Sequence, residues 1–197
     1  MKNNYSVVFV GILLGSISLV FSQGDENMKA LNNSINFNPI GIALGSIGGN
    51  YEHLFGQKHG IMIQGVFPAG YALGKGSGMA VELQYRYHYF RKKNQFGLNS
   101  PFWGPFVYYE KSGGSEVKDN KGTKYNIDIE YCKVGASWGK RWIWGKTFNL
   151  VFKIGYGLPL YAKYNWSPNE PDQVKTIESL TTVIAGIDGE LTIGFAF

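Results

Sequence analysis

Cysteine is almost absent from this 197-residue chain, where Cys132 stands alone. One thiol excludes an intramolecular disulfide and any metal site built on several thiolates, so packing and hydrogen bonds must hold the fold. Cys132 lies among small and apolar residues and reads as a packed thiol. Charge is scarce too. Asp, Glu, Lys and Arg make up 17% of the chain, below the roughly 25% of an average soluble domain. The formal charge is +5, yet bases and acids are interleaved and the clearest basic run is only Arg91-Lys92-Lys93. So short a run fits a solvated turn, and no nucleic-acid partner is expected. Beyond residue 22 no apolar run approaches the roughly 20 residues of a membrane-spanning helix.

What the chain has instead is glycine, 27 residues of it, and aromatics at 16%. Such a composition is too hydrophobic for disorder and too rich in weak helix formers for a helical bundle. It suits many short strands joined by tight turns.

Residues 1–22 read as a secretory signal. Lys2 gives a positive start, Val7 to Phe21 is nearly all apolar, and Val20 and Ser22 fit the −3 and −1 positions of a cleavage site before Gln23. The apolar run is short for a spanning anchor, and Gln23-Gly24-Asp25-Glu26-Asn27 carries no positive stop-transfer cluster. The expected organisation is a signal at 1–22, a short periplasmic segment at 23–33, and one all-β domain at 34–197.

That domain alternates. In the last segment Val183, Ala185, Ile187, Gly189, Leu191, Ile193, Phe195 and Phe197 oppose a face holding Thr182, Asp188, Glu190 and Thr192. Strict period two means a strand with one oily and one polar side. Met79, Val81, Leu83, Tyr85, Tyr87 and Tyr89 oppose Glu82, Gln84, Arg86 and His88 in the same way. Phe148, Leu150, Phe152, Ile154, Tyr156 and Leu158 oppose Asn149, Lys153, Gly155 and Gly157. Ile47, Gly49 and Tyr51 oppose Gly48, Asn50 and Glu52. Cys132, Val134, Ala136, Trp138 and Trp142 oppose Lys133, Gly135, Ser137, Gly139 and Arg141, but Ile127, Ile129 and Tyr131 upstream run in the opposite phase. A β-bulge near Tyr131 would reconcile the two parts.

The polar faces mix glycine with single charges of both signs. This suits a narrow barrel interior whose oily outer face meets lipid. Short links at Gly56–Gly60, Arg91–Ser100 and Trp144–Lys146 alternate with longer ones at Pro68–Gly78, Ser112–Lys124 and Asn165–Thr182, as short periplasmic turns alternate with long outer loops. The fold class expected is an antiparallel up-and-down transmembrane β-barrel of eight strands, near 34–43, 45–55, 60–67, 78–90, 101–111, 125–143, 147–164 and 183–197. Pro105 calls for a local bulge, since proline removes a ladder bond. Two aromatic belts are expected. Phe55, Tyr87, Tyr89, Phe90, Phe102, Trp103, Trp142, Trp144, Phe195 and Phe197 fall at the periplasmic rim, and Phe67, Tyr71, Tyr108, Tyr109, Tyr125, Tyr161 and Tyr164 at the outer one.

By parity a charge network of Glu52, Glu82, Arg86, His88, Lys133, Arg141, Lys153, Asp188 and Glu190 fills the lumen. An eight-stranded interior is just wide enough for side chains, so a sealed interior is expected rather than an open channel. A narrow pore is one alternative, and a soluble lipocalin-type barrel is another. The sharper one is a lipid A deacylase-like enzyme with a Ser/His/acid set. It finds little support: no histidine follows His88, only Ser137 is a candidate nucleophile, and Glu82 and His88 lie about 20 Å apart along one strand. Asp119, Asn120, Asp128 and Glu130 lack EF-hand spacing. No catalysis, cofactor or metal is expected.

The final residues, with Leu191, Ile193, Phe195 and Phe197 alternating to the terminus, resemble the signal by which the barrel assembly machinery recognises its substrates. Residues 30–197 resemble the small OmpA/OmpX-type barrels. Asn38-Pro39-Ile40-Gly41 followed by Tyr51-Glu52 resembles an uncharacterised barrel family of Bacteroidetes and relatives. The resemblance implies Sec-dependent export in a Gram-negative cell, an outer-membrane location, membrane lipids and the assembly machinery as partners, and a monomer. It implies a structural or surface-interaction role, with an outer partner that no motif names.

Overall fold

A computed structural model describes residues 31–43, 45–68, 77–89, 97–118, 124–145, 147–167 and 186–197. The leader, its Ser22/Gln23 junction, residues 23–30, Phe90, Tyr71, Arg91-Lys92-Lys93 and most of the expected loops Pro68–Gly78 and Asn165–Thr182 lie outside the described residues.

The chain forms a closed antiparallel barrel of eight strands in sequence order. They are β1 (Asn33–Phe37), β2 (Ser46–Phe55), β3 (His59–Pro68), β4 (Ser77–His88), β5 (Pro101–Lys118), β6 (Lys124–Trp144), β7 (Phe148–Ser167) and β8 (Ile187–Ala196). Closure brings the chain ends together: Asn33 N donates to Phe197 O at 2.9 Å, and Phe197 N donates to Asn33 O at 2.8 Å. This defines a terminal rim, which also carries the β2–β3 and β6–β7 turns. The opposite rim is uneven. β5, β6 and β7 have 18, 21 and 20 residues against 10 in β2 and β3, so three strands project beyond the others.

Several expectations need correction. The first strand stops at Phe37 instead of running to 43, and a one-turn helix α1 (Pro39–Ala43) follows. The cause is local. Asn38 Oδ1 accepts from Gly41 N at 2.8 Å, a side-chain N-cap, and Pro39 occupies the first helical position, where its missing N–H is harmless. Ser112–Lys124 is mostly strand rather than loop, since β5 runs to Lys118 and β6 starts at Lys124. β8 is Ile187–Ala196, and the expected start at 183 lies outside the described residues.

Pro105 causes no bulge. It pairs with Ala136 on one side, and the β4–β5 register is unchanged across it, from Gln84↔Phe106 to Tyr87↔Trp103. The ring merely leaves one ladder bond unmade. Bulges occur elsewhere. One lies in β5 between Ser112 and Ser115, where Gly114 takes φ +74° and its N–H donates to Asp128 Oδ1 at 2.9 Å. The other lies opposite Cys132/Lys133, where β7 skips Leu160.

Neither bulge sits in β6, so the expected phase change at Tyr131 does not exist. Ile127 (4% exposed), Tyr131 (2%), Lys133 and Arg141 all face inward on one continuous alternation. What changes along β6 is polarity, not phase.

Candidate functional site

The lumen is stacked in three layers. At the terminal rim an apolar cluster of Leu54, Leu98, Ile143 and Ala196, with Leu31 against it, closes the mouth. Leu98 belongs to the β4–β5 link, whose residues 97–100 fold back into the barrel. Arg141 N donates to Ser100 O at 3.2 Å and Ile143 N to Asn99 Oδ1 at 3.4 Å, which ties the link to β6.

Above this plug lies the ionic layer. Glu52 Oε2 accepts from Arg86 Nη1 at 2.8 Å and Arg141 Nη2 at 2.6 Å, while Oε1 is 2.7 Å from His88 Nε2. Arg86 Nη2 donates to Glu190 Oε2 at 2.6 Å and its Nε to Gln84 Oε1 at 2.7 Å. Glu190 Oε1 accepts from Asn50 Nδ2 and Thr192 Oγ1, each at 2.8 Å. Lys153 Nζ reaches Glu82 at 2.5 Å, Asp188 at 2.9 Å and Glu190 at 3.9 Å. Lys133 stands highest, donating to Ile187 O at 3.0 Å and lying 4.7 Å from the Tyr108 ring centroid.

The structure thus brings eight of the nine parity-assigned residues into one contact network, with Lys133 above it on a backbone carbonyl. Within that network four carboxylates face Arg86, Arg141 and Lys153, and Lys133 adds a fourth cation from above. That balance matters, because burying an unpaired ion costs several kcal/mol even after relaxation. Sequence reasoning put Asn50, Gln84, Ser137 and Thr192 on the polar faces without giving them a part in the network, and it missed Asn36; all five are buried in the layer. Their signal was the same parity that marked the charges. It also missed Phe102, expected in the rim belt. That ring is fully buried, 4.2 Å under the Arg86 guanidinium and 5.6 Å from His88.

Serine 100 was missed as well. Its Oγ is 2.9 Å from His88 Nδ1, so Ser100, His88 and Glu52 form a serine–imidazole–carboxylate line. Ser137, the nucleophile considered from sequence, instead meets Gln84. Burial argues that the line is a strut. All three side chains are fully buried. Glu52 accepts from His88 Nε2, so a neutral ring presents Nδ1 to Ser100 as an acceptor, and the Ser100 hydroxyl, which also lies 3.0 Å from Gly97 O, is held between the ring and the link backbone with no room for a substrate.

The upper layer turns oily, with Tyr131 and Ile127 inward. Tyr108 also faces inward and bonds Glu110 at 2.8 Å, and the alternation places Tyr125 and Tyr164 on the inner side. These three tyrosines are therefore not in an outer belt.

The outer wall is the counterpart. Leu83, Val107, Ile154, Tyr156, Leu158, Ile187 and Phe195 are among many large apolar residues with exposed side chains. Leu191, Ile193, Phe195 and Phe197 all lie on this outward side. Toward the long-strand rim the wall ends at a charged row. Lys111 pairs with Glu130, and Glu130 with Lys163. Beyond that row the outward positions of β6 are Asp128, Asn126 and Lys124, all exposed. In β6 the outward face between Glu130 and Lys140 is uncharged. Ten residues at about 3.3 Å each, tilted about 40°, span about 25 Å.

Comparison with known proteins gives no match to a family model, a curated protein or a solved structure. The likenesses noted for Asn38-Pro39-Ile40-Gly41 and Tyr51-Glu52 therefore have no family match behind them. The first of these stretches has a local meaning, the capped start of α1.

Proposed function

We propose that this chain is an integral outer-membrane β-barrel, with a structural or surface-interaction role and no catalysis, inserted after Sec-dependent export and removal of the leader. The observation that carries the reading is the inversion of side-chain polarity along β6. One uninterrupted alternation is oily-out below Glu130 and polar-out from Glu130 upward. A soluble barrel would keep polar groups outward throughout. A wall that meets hydrocarbon up to one level and water beyond it reverses there. The uncharged outward stretch of about 25 Å matches the apolar band of such barrels.

The remaining features fit this setting. Ring closure leaves few open sheet edges, which lipid cannot satisfy. The projecting β5–β7 sheet presents Lys111, Asp128, Glu130 and Lys163 to the outer aqueous side, where a partner would be met. The outward set Leu191, Ile193, Phe195 and Phe197 would serve recognition by the assembly machinery, as the resemblance to its signal suggests. The filled, ion-paired lumen disfavours a pore, and the burial of the Ser100–His88–Glu52 line disfavours a deacylase.

Refolding the mature chain into phosphatidylcholine vesicles tests the reading. It should co-float with vesicles, show heat-modifiable gel mobility and give no steady conductance across a planar bilayer. A monomer that stays folded in plain buffer overturns the membrane reading. Discrete conductance steps would overturn the sealed lumen.

A further inference from the structure

On the outward side of the wall, Gly49 of β2 and Gly65 of β3 stand directly opposite each other. Their neighbours along the same row are Phe37 and Val81, and Tyr51 and Ile63 flank them below. All four are large and exposed. Two missing side chains in this setting leave a groove of about 560 Å³, within the roughly 300–1,000 Å³ of small-molecule sites.

The glycine at 65 is not a backbone necessity. Its φ is not positive, and an added Cβ would meet only the Phe67 ring at 3.5 Å, an ordinary contact. At Gly104, by contrast, a Cβ would collide with the Tyr85 carbonyl oxygen. A side chain at 65 has room to start, and a β-branched residue would strengthen the strand and match its neighbours. Glycine there weakens the strand and keeps the groove open.

We propose that this groove holds one acyl chain of a membrane lipid. The proposal rests on the reading that the wall faces hydrocarbon, and the lining points to the occupant. Outward side chains around the groove are hydrocarbon or aromatic. The one polar group among them, the Tyr51 hydroxyl, already donates to Asn33 Oδ1 at 2.8 Å. Asn36, Asn50 and Gln64 border the groove but alternate to the inner side of the wall, so the surface offered outward is apolar and a featureless chain is what it fits. A second copy of the protein is disfavoured because a two-fold contact would set one concave patch against another.

The full mature chain is reconstituted in dioleoylphosphatidylcholine vesicles that contain a minor fraction of phosphatidylcholine with a diazirine in one acyl chain. After irradiation, adducts are mapped by mass spectrometry. Phe37, Tyr51, Ile63 and Val81 should be labelled several-fold more than Val107, Ile154 and Leu158 elsewhere on the wall. Gly65→Val, which keeps the fold by heat-modifiable mobility, should bring the groove down to the level of the other wall. Uniform labelling, or excess labelling that survives Gly65→Val, overturns the groove while leaving the membrane reading intact. Protein–protein adducts at the groove overturn it in favour of a second copy. Absence of lipid adducts on the whole wall, with protein that does not float with vesicles, overturns both.

Discussion

β6 divides at Cys132 into two parts that share a backbone rule and differ in everything the side chains do. Below it Lys133, Ser137 and Arg141 point inward while Val134, Ala136 and Trp138 point out. Above it Tyr131 and Ile127 point inward while Glu130, Asp128 and Asn126 point out. Strand geometry treats both parts alike, so the difference reports what lies on each side. The lower part has ions within and an apolar exterior, and the upper part has the ordinary arrangement of a half-buried sheet in water. The two parts therefore derive their stability differently, and substitutions can tell them apart.

The largest effect is expected in the ionic layer. Arg86→Ala removes one partner from both Glu52 and Glu190 and leaves two carboxylates buried, which costs about 3–5 kcal/mol. Its urea midpoint in vesicles should fall accordingly. Glu130→Ala touches a charge in the outer row and should cost less than about 1 kcal/mol. Equal effects at the two sites would erase the distinction between ionic interior and wet exterior.

Next comes the outer surface. Val107 lies midway along β5 between Trp103 and Lys111 and pairs with Val134. On the membrane reading, Val107→Arg places a charge near mid-depth and costs about 2–4 kcal/mol. Asn126→Arg, on the same outward side above the charged row, should stay within about 0.5 kcal/mol. If Val107→Arg is as mild as Asn126→Arg, water rather than lipid meets the lower wall.

Much of this architecture was legible in the sequence, and each failure has a physical cause. Period two marked β4, β8 and the lower parts of β6 and β7 correctly, because each keeps one environment along its length. The same rule misread Ile127, Ile129 and Tyr131 as a change of phase, because it assumes that oily means outward everywhere. Parity found the lumen charges but not who meets whom. Glu52 and His88 belong to strands two apart in the barrel, and such a pairing depends on register and tilt that alternation does not encode. Ser100 is invisible to parity for a different reason: it comes from a link that folds into the lumen, and strand alternation says nothing of links.

Ser100→Ala probes that link. It leaves the buried His88 Nδ1 without its contact and loosens Gly97, at a cost of about 1–3 kcal/mol. Wild-type stability in this variant would mean that Leu98 and its apolar neighbours hold the plug unaided.

The smallest effect tests the shortest strand against the longest. β6 runs far past the wall, whereas β1 ends after five residues because Asn38 turns the chain into α1. The sequence carried this stop signal: asparagine before proline is an N-cap followed by a first-turn residue. Ile40 and Ile42 remain exposed on α1, 47% and 60%, so the helix continues the oily wall where β1 is missing. Asn38→Ala removes the acceptor for Gly41 N and should lower stability by about 1 kcal/mol. Asn38→Asp keeps an acceptor at the same place and should recover most of it. The denaturant slope should not change, since the surface exposed on unfolding is the same. Were Asn38→Ala as stable as the wild type, the cap would not be what ends β1. The length difference around the barrel would then have to come from packing of the buried Gly41 of α1.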